Sequence, residues 1–268
     1  MYAVPIYQGS SESKSEINKL WAGFGLGSGS FDPNVGGNSF SQADAAPAAF
    51  EDANFSAQNQ SVRSLSEIKE SNDPGISYSV GMNIGMRVAK RWIVQSGLQY
   101  RNSSSKTNTN VIFRENSSNE SFAITSFSDE RNSLNSGSID IIQEDVSLTN
   151  NYQFLSIPLK IGYLVIDKKF QLSINTGFAT DVFIKNRVSE KNSLIESYDQ
   201  VTGGDSPYRR AFLSGMAGIE LGYKIRERYF ITVEPSFKRS LNSFTKNSEL
   251  VSSNPNSLGV MAGFRYMF

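Results

Sequence analysis

Ile76-Ser77-Tyr78-Ser79-Val80-Gly81-Met82-Asn83-Ile84-Gly85-Met86-Arg87-Val88 changes character at every step. Ile76, Tyr78, Val80, Met82, Ile84, Met86 and Val88 share one parity, while Ser77, Ser79, Gly81, Asn83, Gly85 and Arg87 share the other. Successive side chains of a β-strand point to opposite faces, so the run reads as a strand with one fully apolar face. A soluble sandwich or lipocalin-like barrel also alternates, but it shows its polar parity to water. Here that parity is glycine and serine with one arginine, which suits a narrow polar lumen with lipid on the apolar side.

Seven further segments repeat the pattern. Leu20, Ala22, Phe24 and Leu26 oppose Trp21, Gly23, Gly25 and Gly27, and glycines on the inner parity suit a narrow barrel. Trp92, Val94, Leu98 and Tyr100 oppose Gln95, Gly97, Gln99 and Arg101, with Ile93 and Ser96 out of pattern. Leu155, Ile157, Leu159, Ile161, Tyr163 and Val165 oppose Ser156, Pro158, Lys160 and Gly162. Phe170 to Val182, Ala211 to Tyr223 and Tyr229 to Phe237 follow the same rule, although Phe230 falls on the polar parity. The eighth segment, Leu258 to Phe268, ends on an outward aromatic.

The connections alternate in length. Short charged turns lie around Ala89-Lys90-Arg91, Ile166-Asp167-Lys168-Lys169 and Arg226-Glu227-Arg228. The other connections, about residues 31–75, 102–151, 184–210 and 240–256, are long and rich in Ser, Asn, Asp and Gly. Short turns at one rim and long loops at the other are the plan of an outer-membrane barrel, whose long loops face outside the cell. The expected fold is therefore all-β: an eight-stranded antiparallel up-and-down transmembrane β-barrel over residues 17–268. Residues 1–16 are expected to form a periplasmic N-terminal tail, and both barrel termini are expected in the periplasm. Val111 to Phe113, Phe122 to Phe127 and Ser138 to Val146 hold further β-branched or apolar runs, so strands three and four are expected to extend as a hairpin above the membrane. Met1 to Glu16 contain no cationic start followed by an apolar core, so no secretory signal is expected within the sequence.

Composition narrows the function. No run approaches the roughly 18 to 20 apolar residues of a membrane helix, so any crossing is made by strands. Lysine plus arginine and aspartate plus glutamate number 26 each, which leaves no bulk positive field for nucleic acid. The chain has neither cysteine nor histidine, so disulfides, thiol nucleophiles, histidine bases and imidazole or thiolate metal sites are excluded. A non-enzyme is expected, with no catalytic residue, cofactor or metal. Gly36-Gly37 and Gly203-Gly204 match no phosphate-loop spacing. Asp32-Pro33-Asn34 and Asn72-Asp73-Pro74-Gly75 are turn formers expected to cap the two ends of the first long loop.

The inner parity carries Arg87, Arg101, Lys160, Asp181, Glu220, Glu234, Lys238 and Arg265. These charges are expected to pair into a lumenal network that stabilises the barrel rather than conducts, because side chains just fill an eight-stranded interior. Trp92, Tyr163, Tyr223, Tyr229 and Phe268 sit beside the short turns or the C-terminus, where a periplasmic aromatic girdle belongs. Pro158 and Pro235 fall within strands, so bulges or strand ends are expected there.

The terminal run Gly259-Val260-Met261-Ala262-Gly263-Phe264-Arg265-Tyr266-Met267-Phe268 resembles the closing strand of outer-membrane barrels. The resemblance implies that Phe264, Tyr266 and Phe268 form the signal read by the barrel-assembly machinery. Phe154-Leu155-Ser156-Ile157-Pro158-Leu159-Lys160-Ile161-Gly162-Tyr163, followed by a charged turn and Gly177-Phe178-Ala179-Thr180, is similar to the PorT-like and OmpA-like outer-membrane β-barrel family. That resemblance spans about residues 20 to 268. It implies a Gram-negative outer membrane and contact with its lipid and lipopolysaccharide. A structural or protein-interaction component of the envelope is expected, with an envelope protein partner bound through the loops or the N-terminal tail. Type IX secretion and trans-envelope signalling are the roles it suggests; a narrow channel or transporter for small solutes is the alternative.

Overall fold

The computed structural model describes residues 19–36, 70–115, 121–123, 139–190, 197–202, 206–246 and 252–268. Eight long strands form a ring: β1 Leu20–Asp32, β2 Glu70–Arg87, β3 Trp92–Glu115, β4 Ile139–Asp167, β5 Phe170–Glu190, β6 Ala211–Arg226, β7 Tyr229–Ser240 and β8 Asn256–Met267. Each pairs antiparallel with the next, and β8 returns to β1 along Trp21↔Met267 to Asp32↔Asn256, so the sheet is a closed barrel. The expected tail over residues 1–16 lies outside the described residues.

The apolar parity faces outward. Phe24, Leu26, Ile76, Tyr78, Val80, Ile84, Leu159, Phe178 and Leu258 are exposed, and Met82 is 68% exposed. An apolar belt of this extent on a soluble molecule would drive association, so its counterpart here is lipid. The short connections 88–91, 168–169 and 227–228 share one rim with the start of β1 and the end of β8, where the Phe268 amide donates to the Leu20 carbonyl at 2.9 Å.

The strands run further toward the opposite rim than their apolar alternation shows. Residues 102–115 and 139–151, expected as part of a long connection, continue the β3–β4 ladder through Lys106↔Thr149 to Glu115↔Ile139. The short strand Ser121–Ala123 adds to β3 at Ile112–Arg114, so the expected hairpin extension is present. Hydrophobic period is silent over 102–109 because both faces are polar there: Ser103, Ser105, Thr107 and Thr109 are buried while Lys106 is exposed. β5 likewise continues to Glu190 and pairs with Tyr198–Val201.

Two expectations about turns and prolines are corrected. Asn72-Asp73-Pro74-Gly75 is no loop cap but part of β2, where the register shifts between Pro74 and Ser77. Asp32-Pro33-Asn34 is a turn: Asn34 takes φ 42° and its amide donates to Asp32 Oδ1 at 2.8 Å. Pro158 and Pro235 cause neither bulge nor strand end. The β3–β4 register is the same on both sides of Pro158, as is the β6–β7 register across Pro235, with only a local gap in each ladder. Each proline faces its missing donor toward one neighbour and keeps its pairing with the other, Pro158 with Ala179 and Pro235 with Val260. The Ser96 hydroxyl donates to the Pro158 carbonyl at 2.9 Å and closes part of the first gap.

Candidate functional site

Alternation aims every second residue of each strand into the barrel, and the interior is organised in three levels. At the short-turn end Trp21, Ile93 and Leu164 pack together with Met267 against them. Phe230 is also buried. Ile93 and Phe230, exceptions to the alternation in the sequence, are thus interior apolar side chains, as is Trp21 on the inner parity. Gly85 leaves room for the Trp21 ring; a Cβ there would overlap it. The Arg265 guanidinium lies 4.9 Å from the Trp21 ring centre.

The middle level holds the charges. All eight sequence-predicted residues point into the barrel, seven of them buried and Lys160 partly so. Arg265 pairs with Glu220 at 2.6 Å, and Lys160 holds both oxygens of Glu234 at 2.8 and 2.7 Å. Asn175 adds a bond to Glu234 at 3.2 Å. Lys238 contacts Asp181 at 2.6 Å, and Ser156 and Ser214 also donate to that carboxylate. Arg101 stands 3.7 Å from Asp181. Arg87 pairs with Asp167 of the β4–β5 turn at 2.8 Å, a partner outside the predicted set. The pairs tolerate burial because both members are hydrogen-bonded. Beside them lies a cavity of about 110 Å³ walled by Gly27, Gly29, Gly81 and several serines opposite Lys160, Glu234 and Lys238.

Toward the long-loop end aromatic rings pack inside the barrel. Phe31, Tyr152, Phe154, Phe183, Tyr208, Phe212 and Phe244 form one buried cluster. Phe154 is fully buried, with the rings of Phe31, Phe183, Phe212 and Phe244 at 5.6 to 6.1 Å. Above it a polar chain links Asn72, Thr107, Asn150, Asn186 and Gln200 to Tyr208. Burial holds the Tyr208 hydroxyl proton well above the ordinary tyrosine range. None of this cluster was singled out at sequence level. Phe31, Tyr152, Phe154, Phe183 and Phe212 lie on the inner parity of their strands, so extending the alternation a few residues would have found five of the seven.

At the short-turn rim Trp92 meets Tyr163 edge-on at 5.2 Å across the β3–β4 ladder. Tyr229 meets Tyr266 at 5.3 Å, and Tyr266 meets Phe268 at 5.1 Å. Arg91 and Arg228 donate to the hydroxyls of Tyr163 and Tyr266, each at 3.2 Å, and Lys169 lies over Tyr223 at 5.4 Å. A belt of rings capped by cations is suited to the border between hydrocarbon and water.

Residues 40–246 match the family model described as outer membrane protein beta-barrel domain. Similar solved structures include the outer membrane protein OprG from Pseudomonas aeruginosa, 10% identical over 94% of this chain and 97% of that one, with a TM-score of 0.47. Ail, the attachment invasion locus protein of Yersinia pestis, is 9% identical over 93% and 99%, with a TM-score of 0.35. The outer membrane protease OmpT from Escherichia coli is 7% identical over 93% and 97%, with a TM-score of 0.38. No curated protein matches in sequence. At these identities and scores the likenesses say nothing of activity.

Proposed function

The chain belongs to the outer membrane protein beta-barrel domain family, and from that premise we propose that it is a non-enzymatic, non-conducting barrel that binds an envelope protein partner at its long-loop end. One observation supports this reading: buried apolar clusters pack inside the barrel at both ends, seven aromatic rings on the long-loop side and the Trp21 cluster on the other. Asp181, Glu220 and Glu234 are each held by a cation, so none is free to serve as a general acid or base. What is left for recognition is the surface above the lipid, including the β3–β4 hairpin that stands beyond the other strands.

In this reading the long loops face outside the cell and the start of β1 and end of β8 face the periplasm. The Trp92, Tyr163, Tyr223, Tyr229 and Phe268 rings form the periplasmic girdle, and Phe264, Tyr266 and Phe268 present the assembly signal. The PorT-like resemblance makes type IX secretion or trans-envelope signalling the setting for the partner. Lipopolysaccharide then surrounds the outer half of the belt. A second reading, a narrow solute channel, rests on the mid-barrel cavity alone. Planar-bilayer recording separates the two: a silent membrane is expected, and single-channel steps would sink the closed-barrel reading. Crosslinking in intact envelopes followed by mild-detergent purification should retain a second chain; an isolated monomer under those conditions would count against a partner.

A further inference from the structure

The charges around the cavity do not cancel. Arg101, Lys160, Lys238 and Glu234 line it, and Asp181 lies directly behind Lys238. Three cations therefore face two carboxylates, leaving one positive charge among the described residues. Geometry identifies which one. Lys160 and Glu234 satisfy each other, and Lys238 takes Asp181 at 2.6 Å, while Ser156 and Ser214 occupy the rest of that carboxylate. Arg101 reaches Asp181 only at 3.7 Å and Ser257 at 3.4 Å. Its Nε has no hydrogen-bond partner, although the residue is 7% exposed.

A guanidinium does not shed its proton, so Arg101 cannot relieve the imbalance by becoming neutral. The Phe154 ring at 5.2 Å supports the cation without cancelling its charge. Burying a charge without a counterion is costly, which calls for a negative partner. The cavity has room for one: about 110 Å³ exceeds the ~30 Å³ share of a single water several times over. The Ser79 and Ser236 side chains add hydroxyl donors to its wall, and the glycines at 27, 29 and 81 keep it from being filled.

We propose that this cavity binds a small monovalent anion of the halide class, held by Arg101 and the hydroxyls of Ser79 and Ser236. A single negative charge balances the site, whereas a divalent oxyanion would overshoot it. The anion is a structural counterion that lets the barrel bury Arg101 beneath the aromatic cluster.

The full chain is refolded in detergent micelles at equal ionic strength in sodium chloride, sodium bromide or sodium gluconate, whose anion is too large for the cavity. Urea midpoints are expected to be higher in both halides than in gluconate and to rise with halide concentration. Arg101→Gln should abolish that difference, and Ser79→Ala, which removes a wall hydroxyl from the residue paired across the ladder with Arg101 while leaving every ion-paired side chain in place, should reduce it. A crystal grown in bromide should show an anomalous peak beside Arg101. Equal midpoints in halide and gluconate would overturn the proposal. So would a halide effect that persists undiminished in Arg101→Gln, or bromide crystals with no peak in the cavity.

Discussion

Replacing Glu234 with alanine removes the partner of Lys160 and leaves an ammonium inside the barrel with neither of its 2.8 and 2.7 Å bonds. Asn175 loses its 3.2 Å acceptor at the same time. Breaking a buried ion pair typically costs about 3 to 5 kcal/mol. Both side chains keep 11% exposure and border the cavity, which solvates the stranded lysine in part, so the lower end, about 3 kcal/mol, applies here. With a urea slope of about 2 kcal/mol per molar, the midpoint falls by about 1.5 M. Tryptophan emission reports it, since Trp21 lies buried at the short-turn end and Trp92 sits on the rim. An unchanged midpoint would show that the pair does not hold the barrel. The double variant Lys160→Met with Glu234→Leu tests the cause: removing both charges should recover more than half of the loss, because the stranded ammonium is gone. A double variant weaker than Glu234→Ala would mean that the cost lies in packing.

Other expectations follow from the same interior. Phe154→Ala empties the centre of the aromatic cluster and should cost about 3 to 5 kcal/mol in urea unfolding; a loss below about 1 kcal/mol would mean that the rings do not pack as one core. Gly97→Ala places a Cβ against the Met82 carbonyl oxygen and should destabilise by about 1 to 3 kcal/mol, whereas Gly222→Ala, with its nearest neighbour Gln171 Cβ at 3.5 Å, should stay within about 0.5 kcal/mol; reversal of that order in urea midpoints would contradict the wall geometry. Hydrogen bonding from Lys185, aided by Arg187, holds the Asp199 carboxyl below its usual range. A depressed carboxyl stabilises the folded form above its unfolded pKa and loses that contribution as pH falls through the folded value. Amide exchange in Tyr198–Val201 should therefore accelerate selectively on acidification below the ordinary aspartate range; protection independent of pH would discount the bridge.

The apolar face of Ile76 to Val88 was legible because lipid and lumen sort residues by parity, and a strand offers only two parities. The same rule located the lumenal charges, since a cation such as Lys160 among apolar alternates has only one direction to point. It could not show who pairs with whom: Lys160 and Glu234 meet across the barrel from β4 and β7, and Arg87 finds Asp167 on a turn. Polar strand extensions escaped because Ser103 to Thr109 alternate without changing polarity. Tyr208 and Phe244 lie outside the long strands, so no periodicity leads to them. Pro158 and Pro235 misled because a missing donor is a one-sided defect, and a strand with two neighbours keeps its course by holding to the other.

The seam between β1 and β8 bears on the order of assembly. It joins Trp21 to Met267, almost the whole chain apart, and places glycine against glycine at Gly25↔Gly263 and Gly29↔Gly259. Contacts so distant in sequence carry the largest entropy of closure, and glycines offer few side-chain contacts to offset it. The hairpins across the short turns can zip early and locally, while this edge waits for all of them. Closure entropy thus favours an order in which the curved sheet forms first and this seam joins last.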